Sequence, residues 1–171
     1  MEHLGFISIT LHYFFRIIFM KKLITVYAAL FLICSSQAAI ATGIFDKNFT
    51  GIQKEHYADG TPKYEVNVIK GKKQGVETFW YPNGKKNIQT NYLDDKEDGV
   101  WNQWYDSGQL KLEANYKGGR EHGLFTQWYE NGQKRVEGNF INGKKEGPET
   151  AWNKDGSVKY KSNYKDGQEI K

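Results

Sequence analysis

The sequence repeats itself every 24 residues, and this period constrains the fold more than any other feature. Five glycines stand 24 positions apart, at Gly51, Gly75, Gly99, Gly123 and Gly147. Nine residues after each comes a second glycine, at Gly60, Gly84, Gly108, Gly132 and Gly156. A fixed period of this length is typical of a repeat protein. It divides the chain into five units, 51–74, 75–98, 99–122, 123–146 and 147–170.

Two further columns of identical residues keep the same register. Four units carry a tryptophan five residues after the opening glycine, where the first unit has His56: Trp80, Trp104, Trp128 and Trp152. All five carry an asparagine at the seventeenth position: Asn67, Asn91, Asn115, Asn139 and Asn163. We predict structural roles for the tryptophans, the second glycines and the asparagines. The alternative for the asparagines is a row of amides that binds a sugar or a peptide.

Each unit contains two turn signals with strand-like segments between them. Asn-Gly and similar dipeptides favour type I′ hairpin turns, in which both central residues have positive φ. They occur in mid-unit at Asn83-Gly84, Ser107-Gly108, Asn131-Gly132 and Asp155-Gly156, and near the unit ends at Gly118-Gly119, Asn142-Gly143 and Asp166-Gly167. Apolar and polar residues alternate between these turns, as in 110–116. The sequence predicts an all-β, elongated antiparallel meander of about ten strands, two per unit.

Two-residue turns would sort the side chains onto two faces of the sheet. One face would hold the tryptophan column with cations opposite the indoles, pairing Trp104 with Lys111, Trp128 with Arg135 and Trp152 with Lys159. Each such pair contributes about 0.5–1 kcal/mol. The other face would hold Ile88, Leu110, Leu112, Val136, Tyr160 and the candidate binding surface, which is aromatic: Tyr81, Trp101, Tyr105, Phe125 and Tyr129. A single-layer sheet cannot bury both faces, and contiguous exposed aromatic area marks interaction surfaces.

The first 41 residues resemble a leader rather than a domain. Lys21 and Lys22 precede an apolar run of about 11 residues and a small-residue ending at Ala41, the order of a secretory signal peptide. We therefore expect export to the periplasm or the extracellular space, translation from Met20, and a short linker over 42–50. The alternative is an uncleaved N-terminal segment that anchors the domain at a membrane.

Composition after the leader excludes several classes of function. The 130 residues from 42 onward carry a net charge of +2, which argues against a nucleic-acid binder. The only cysteine, Cys34, lies in the leader, so we expect no disulfide or thiol chemistry in the domain. His56 and His122 occupy different positions of the unit and form no metal-binding motif. We predict no catalytic residues, no metal and no cofactor.

Carboxylates offer two weaker candidates for chemistry. Glu65, Glu113 and Glu137 share one column, which favours a solvated face balanced by lysines over an acid–base pair. An acidic turn over 94–98 could coordinate Ca²⁺ loosely, although an exposed turn explains it as well.

The unit resembles the MORN repeat variant of bacterial proteins. The stretch from Gly123 through Trp128, Tyr129 and Gly132 to Gly147 follows its pattern most closely, and the resemblance covers 51–170. Many such proteins are described as YwqK-family antitoxins of toxin–antitoxin systems. The resemblance implies a β-hairpin solenoid that binds or scaffolds a partner, with no catalytic residues to transfer.

From these features we expect a non-enzymatic, exported repeat protein that binds another protein, with an antitoxin-like role included. Two alternatives remain open. Aromatic hairpin repeats of similar period also bind cell-wall glycans, since aromatic rings stack on sugar faces. A peripheral membrane module is the other, and it would need a one-sided basic patch.

Overall fold

The computed structural model describes residues 45–170. The predicted leader, 1–41, lies outside the described residues, as do the first residues of the predicted linker. Among the described residues no helix is long and apolar enough to cross a membrane.

The described residues form one antiparallel sheet whose strands follow one another in chain order, which confirms the all-β meander. Twelve strands are present in this part of the chain, two more than expected. The short β9 is separated from β10 at Glu146, and β12 adds a strand after the fifth unit's second turn. The strands are β1 Gly51–His56, β2 Pro62–Ile69, β3 Lys72–Trp80, β4 Lys86–Leu93, β5 Lys96–Trp104, β6 Leu110–Lys117, β7 Arg120–Trp128, β8 Lys134–Ile141, β9 Lys144–Lys145, β10 Gly147–Trp152, β11 Val158–Lys165 and β12 Gln168–Ile170.

The turns near the unit ends are two-residue hairpins with positive φ at both central positions. This confirms the prediction at Gly118-Gly119, Asn142-Gly143 and Asp166-Gly167. Lys70-Gly71 and Asp94-Asp95 adopt the same conformation. Asp94 and Asp95 show that short polar side chains tolerate the left-handed region.

The mid-unit turns are not type I′, so that prediction is wrong. In the second unit Gly84 has a φ of 77°, whereas Asn83 is not among the residues with positive φ. The Gly84 N–H donates to the Tyr81 carbonyl at 2.9 Å, and the Tyr81 N–H donates to the Lys85 carbonyl at 2.8 Å. These bonds describe a three-residue loop that ends in a left-handed glycine, with a bulge at the strand end. The same pattern closes the loops at Ser107-Gly108, Asn131-Gly132 and Asp155-Gly156.

The extra loop residue shifts the cross-strand partners of the tryptophans. Trp104 lies opposite Leu110 rather than Lys111, and the predicted pairs of Trp128 with Arg135 and Trp152 with Lys159 are wrong for the same reason. Their observed partners are Lys134 and Val158. Leu110 therefore shares a face with the tryptophans, contrary to expectation. Further along the strands the predicted register holds, with Trp101 opposite Ala114.

Burial distinguishes the two faces of the sheet. In β2 the buried residues Tyr64, Val66 and Val68 alternate with partly or fully exposed ones. Ala114 and Ala151 are buried on the same face, which we call the inner face. The opposite side, which bears the tryptophan and asparagine columns, is the outer face. Because the core is this thin, contacts between neighbouring units supply most of the packing.

Candidate binding surfaces

Tyrosines of the predicted aromatic surface link each unit to the next. The hydroxyl of Tyr81 donates to the backbone carbonyl of Trp104 at 2.8 Å, 23 residues further on. Three other bonds repeat this arrangement at 2.7–3.0 Å: Tyr57 to Trp80, Tyr105 to Trp128 and Tyr129 to Trp152. These hydroxyls hold adjacent units together. This role was not predicted from the sequence.

The other two residues of that surface, Trp101 and Phe125, lie on the inner face near the middle of the sheet. All five predicted surface residues are half-buried. Phe125 packs edge-on against Phe140, with ring centroids 5.7 Å apart. Binding through this surface stays a prediction.

The tryptophan column is also half-buried, and its cation contacts differ from those predicted. The Lys86 ammonium lies 5.6 Å from the Trp104 ring centroid, so a lysine of the preceding unit covers the indole. Lys134 covers Trp152 in the same way at 5.9 Å. The cations expected at the indoles cover the adjacent phenol rings instead: Lys111 over Tyr105 at 5.5 Å and Arg135 over Tyr129 at 5.9 Å.

The opening glycines of the second, third and fourth units lie in bulges, where three residues oppose one asparagine of the preceding unit. The chain also bulges at Gly147, because residues 146–149 oppose only residues 138 and 139. The four bulged segments, 73–77, 97–101, 121–125 and 145–149, are the junctions between units. Two of them, 97–101 and 121–125, place a large aromatic residue on the inner face, and we call them the aromatic junctions. The other two, 73–77 and 145–149, place a glutamate there and are the polar junctions.

At the aromatic junctions the asparagine column closes the bulge. The Asn91 amide donates to the Val100 carbonyl at 2.7 Å, and Asn115 donates to Leu124 at 2.9 Å. Gly123 has a φ of 112°, and a Cβ there would lie 3.3 Å from the Asn115 Cβ. Glycine and asparagine therefore act as a pair, which supports the structural role at these positions. At the polar junctions, no such amide bond joins Asn67 or Asn139 to another described residue.

At the polar junctions a buried ion pair replaces the aromatic ring. The Lys73 ammonium lies 2.5 Å from the Glu77 carboxylate, and the Tyr64 hydroxyl donates to the same oxygen at 2.8 Å. Only 4 % of the Glu77 side chain is exposed. The Lys73 ammonium also lies 4.8 Å from the centroid of the Tyr92 ring.

The second polar junction repeats this cluster. Lys145 pairs with the buried Glu149, the Tyr160 hydroxyl donates to Glu149 at 3.1 Å, and Lys145 lies over the Tyr164 ring at 4.8 Å. The hydrogen bond to Glu149 and its charge raise the pKa of Lys145, although burial alone would lower it.

The first cluster raises the pKa of two of its tyrosines. Burial raises the pKa of Tyr64 well above its ordinary value of 10, and the charge of Glu77 raises it further. Burial and the same carboxylate raise the pKa of Tyr92. Neither cluster was predicted from the sequence, where the glutamates were expected on a solvated face.

Side chains just before the opening glycines cap the turns of the next unit. Oxygens of Gln74, Asp98 and Glu146 accept hydrogen bonds from backbone N–H groups 20 residues further on, at 2.7–3.0 Å. His122 occupies the equivalent position, and its buried Nδ1 has no hydrogen-bond partner among the described residues.

Carboxylates of the acidic turn are likewise engaged with backbone. Asp98 caps the turn at Gly118, and Asp95 accepts from the Lys73 N–H at 2.7 Å. Over residues 45–170 no three carboxylate, histidine or cysteine side chains group together as metal ligands. Calcium binding by this turn therefore has no support in the geometry. In the glutamate column, Lys54 pairs with Glu65 at 2.8 Å and Lys134 pairs with Glu137.

Aliphatic rather than aromatic side chains form the most exposed apolar surface. Six of them, 44–56 % exposed, recur at two positions of the unit on the outer face: Ile52, Ile69, Val76, Leu93, Leu124 and Ile141. Exposed basic residues directly face three of these across the unit-end turns, pairing Lys72 with Ile69, Lys96 with Leu93 and Lys144 with Ile141. Arg120 occupies the same position in a fourth unit. We call these ten residues the outer band. The residues of the outer band recur every 24 positions in the sequence, but the predicted binding surface included only aromatic residues.

Comparison with known proteins identifies the repeat. The family model for the MORN repeat variant matches residues 49–70, 73–94, 97–117, 121–142 and 145–166, more than half of the chain. A search of curated proteins finds no match.

Proposed function

The chain belongs to the MORN repeat variant family, a repeat family with a binding role, and we propose that it is an exported, non-enzymatic module that binds and scaffolds another protein. One observation carries the proposal. Exposed aliphatic side chains recur at equivalent positions of several units along the outer face. Scattered single apolar residues are normal on a protein surface, but an ordered row of them indicates an interaction surface. An antitoxin-like role is the special case in which the partner is a toxin that meets this protein after export.

Cell-wall glycan and membrane binding remain the competing classes. Sugar binding relies on exposed aromatic faces, whereas the tyrosine hydroxyls here are engaged between units. Binding to an anionic membrane calls for a one-sided basic surface, and the outer face also carries the glutamate column.

The test is capture from native cells that export the full chain with a C-terminal tag. We expect one protein to co-elute at a fixed ratio, as identified by mass spectrometry. The matched control is the same chain with Leu93→Asn and Leu124→Asn, at side chains that are 53 % and 49 % exposed. Sedimentation of the purified protein with wall material and with vesicles runs in parallel. An empty lane together with co-sedimentation would overturn the proposal.

A further inference from the structure

The outer band combines apolar and basic side chains in a regular array along the sheet. Equivalent residues of successive units lie two strands apart, which is about 10 Å, because adjacent strands are about 4.8 Å apart. The basic members Lys72, Lys96, Arg120 and Lys144 therefore form a row about 30 Å long. The exposed aliphatic residues lie beside this row on the same face.

Charges around the band are distributed unevenly. At the unit-end turns, Asp95 is bonded to a backbone N–H, and Asp166 pairs with Lys144 at 3.7 Å. Lys96 and Arg120 make no ion pair within the described residues. A hollow of about 330 Å³ opens at one end of the band, and its lining carries both signs of charge: Arg120, Ile141, Asn142, Lys144, Glu146, Lys165 and Asp166. On the far side of the aliphatic residues lies the glutamate column, in which Lys54 pairs with Glu65 and Lys134 pairs with Glu137. Lys96 and Arg120 therefore form the charged flank of the apolar surface.

The spacing of the basic row is close to the length of one heptad of an α-helix. An α-helix rises 1.5 Å per residue, so residues seven apart lie about 10.5 Å apart on nearly the same side. A helix laid across the strands would present one acidic and one apolar side chain per heptad to each unit of this protein. When an amphipathic helix docks on a protein surface, its apolar side chains supply most of the affinity. Complementary charges fix the position of the helix along that surface.

Resting on the binding role proposed above, we infer that the outer band is the docking surface, and that its occupant is an amphipathic helix of the partner protein with aliphatic residues in heptads and acidic residues along one flank. A second copy of this chain fits less well, because two basic rows would meet. A flat anionic bilayer is the competing occupant, and sedimentation with vesicles tests for it.

The test uses the full chain and a synthetic probe, a 28-residue helical peptide of about 42 Å with leucine and glutamate in heptad positions. Lys96→Glu with Arg120→Glu should weaken its binding at least tenfold in a fluorescence titration. The matched control, Lys159→Glu with Lys161→Glu, changes the net charge equally from exposed positions of β11 and should change binding less than twofold. Leu93→Asn with Leu124→Asn, which alters no charge, should also weaken binding at least tenfold.

Several results would overturn the inference. Equal loss in both charge-reversal variants, or equal binding of a peptide with the same composition in scrambled order, would show non-specific attraction. If the protein sediments with vesicles of anionic lipid and the outer-band variants do not, the band binds a membrane. Self-association abolished by Leu93→Asn with Leu124→Asn would assign it to a second copy. Absence of peptide binding also overturns it, while stoichiometric capture from native cells would leave the proposed function standing.

Discussion

The polar and aromatic junctions solve one structural problem in two ways. Both fold a bulge at an opening glycine, and both must fill the inner face beneath it. The aromatic junctions fill it with Trp101 and Phe125, whereas the polar junctions use Glu77 and Glu149, each neutralised by a lysine four residues earlier. In a regular strand these two residues would lie about 13 Å apart, so the bulge is what allows the ion pair to form.

The position of each junction type in the chain explains the difference. The aromatic junctions join the second, third and fourth units, in the middle of the described sheet. The polar junctions join the first and fifth units to this middle part, near the two edges of the described sheet. Inward-pointing charges near the ends of a sheet also discourage pairing with other chains. Near the ends, a buried glutamate paired with a lysine therefore takes the place of the ring, and only 4 % of each glutamate side chain is exposed.

The largest expected effect comes from breaking one ion pair. Lys73→Met should lower the free energy of unfolding by about 3 kcal/mol, because it leaves the Glu77 carboxylate buried without a counter-charge. Lys72→Met, at the exposed neighbouring position, is the control and should change it by less than about 0.5 kcal/mol. Urea titration followed by tryptophan fluorescence measures both. If both variants change the free energy of unfolding by less than about 0.5 kcal/mol, the Glu77 carboxylate is solvated and the prediction fails.

The second effect distinguishes the glycines of the two junction types. Gly123→Ala should cost about 2–3 kcal/mol, because it combines left-handed strain with a close approach to Asn115. Gly75→Ala should cost only about 1–2 kcal/mol, since its φ is 77° and no atom lies within 4 Å of a new Cβ. Thermal and urea unfolding of both variants provides the comparison. Reversal of this order would contradict the proposed glycine–asparagine pairing.

A smaller effect should separate the asparagines. Asn115→Ala removes an amide-to-carbonyl hydrogen bond and should cost about 1 kcal/mol. Asn139→Ala, at a polar junction, should cost less than about 0.5 kcal/mol. If unfolding measurements give equal losses, the column acts through something other than this bond.

The last prediction concerns how the free energy of unfolding depends on pH in alkaline solution. Tyr64 and Tyr92 have raised pKa values in the folded state, so their contribution is complete below pH 10 and is lost as the pH rises above it. The unfolded chain then releases protons that the folded chain retains. Stability should fall less steeply above pH 10 in Tyr92→Phe, measured by urea titration at stepped pH. An unchanged slope would show that Tyr92 ionises normally.

Much of the architecture could be predicted from the sequence, because a 24-residue period and alternating polarity leave few folds available. The type of the mid-unit turn could not be predicted from the sequence, because Asn-Gly suits both a type I′ turn and a three-residue loop that ends in glycine. Pro82 was the one local signal, since its fixed φ suits the first position of the longer loop. A single extra residue in the loop then changed the cross-strand partners of Trp104, Trp128 and Trp152.

The candidate surfaces were harder to predict than the fold. Tyr81, Tyr105 and Tyr129 were expected to bind a partner, but whether a hydroxyl is free depends on a carbonyl 23 residues away. The buried glutamates were missed because only the bulge places Lys73 and Glu77 within contact. Residues whose role depends on the geometry between units cannot be assigned from a single unit.

The tyrosine-to-carbonyl bonds also give the array a direction, and this bears on how such a chain can change its length. Each unit carries a donor for its successor and an acceptor for its predecessor, so duplication or loss of one 24-residue segment leaves no bond unmatched. The fifth unit differs, because Asn153 replaces the tyrosine and bonds within its own loop to Ser157. Duplication or loss of a gene segment that encodes one of the preceding units would therefore change the length of the array by one unit at a time and leave this set of bonds complete.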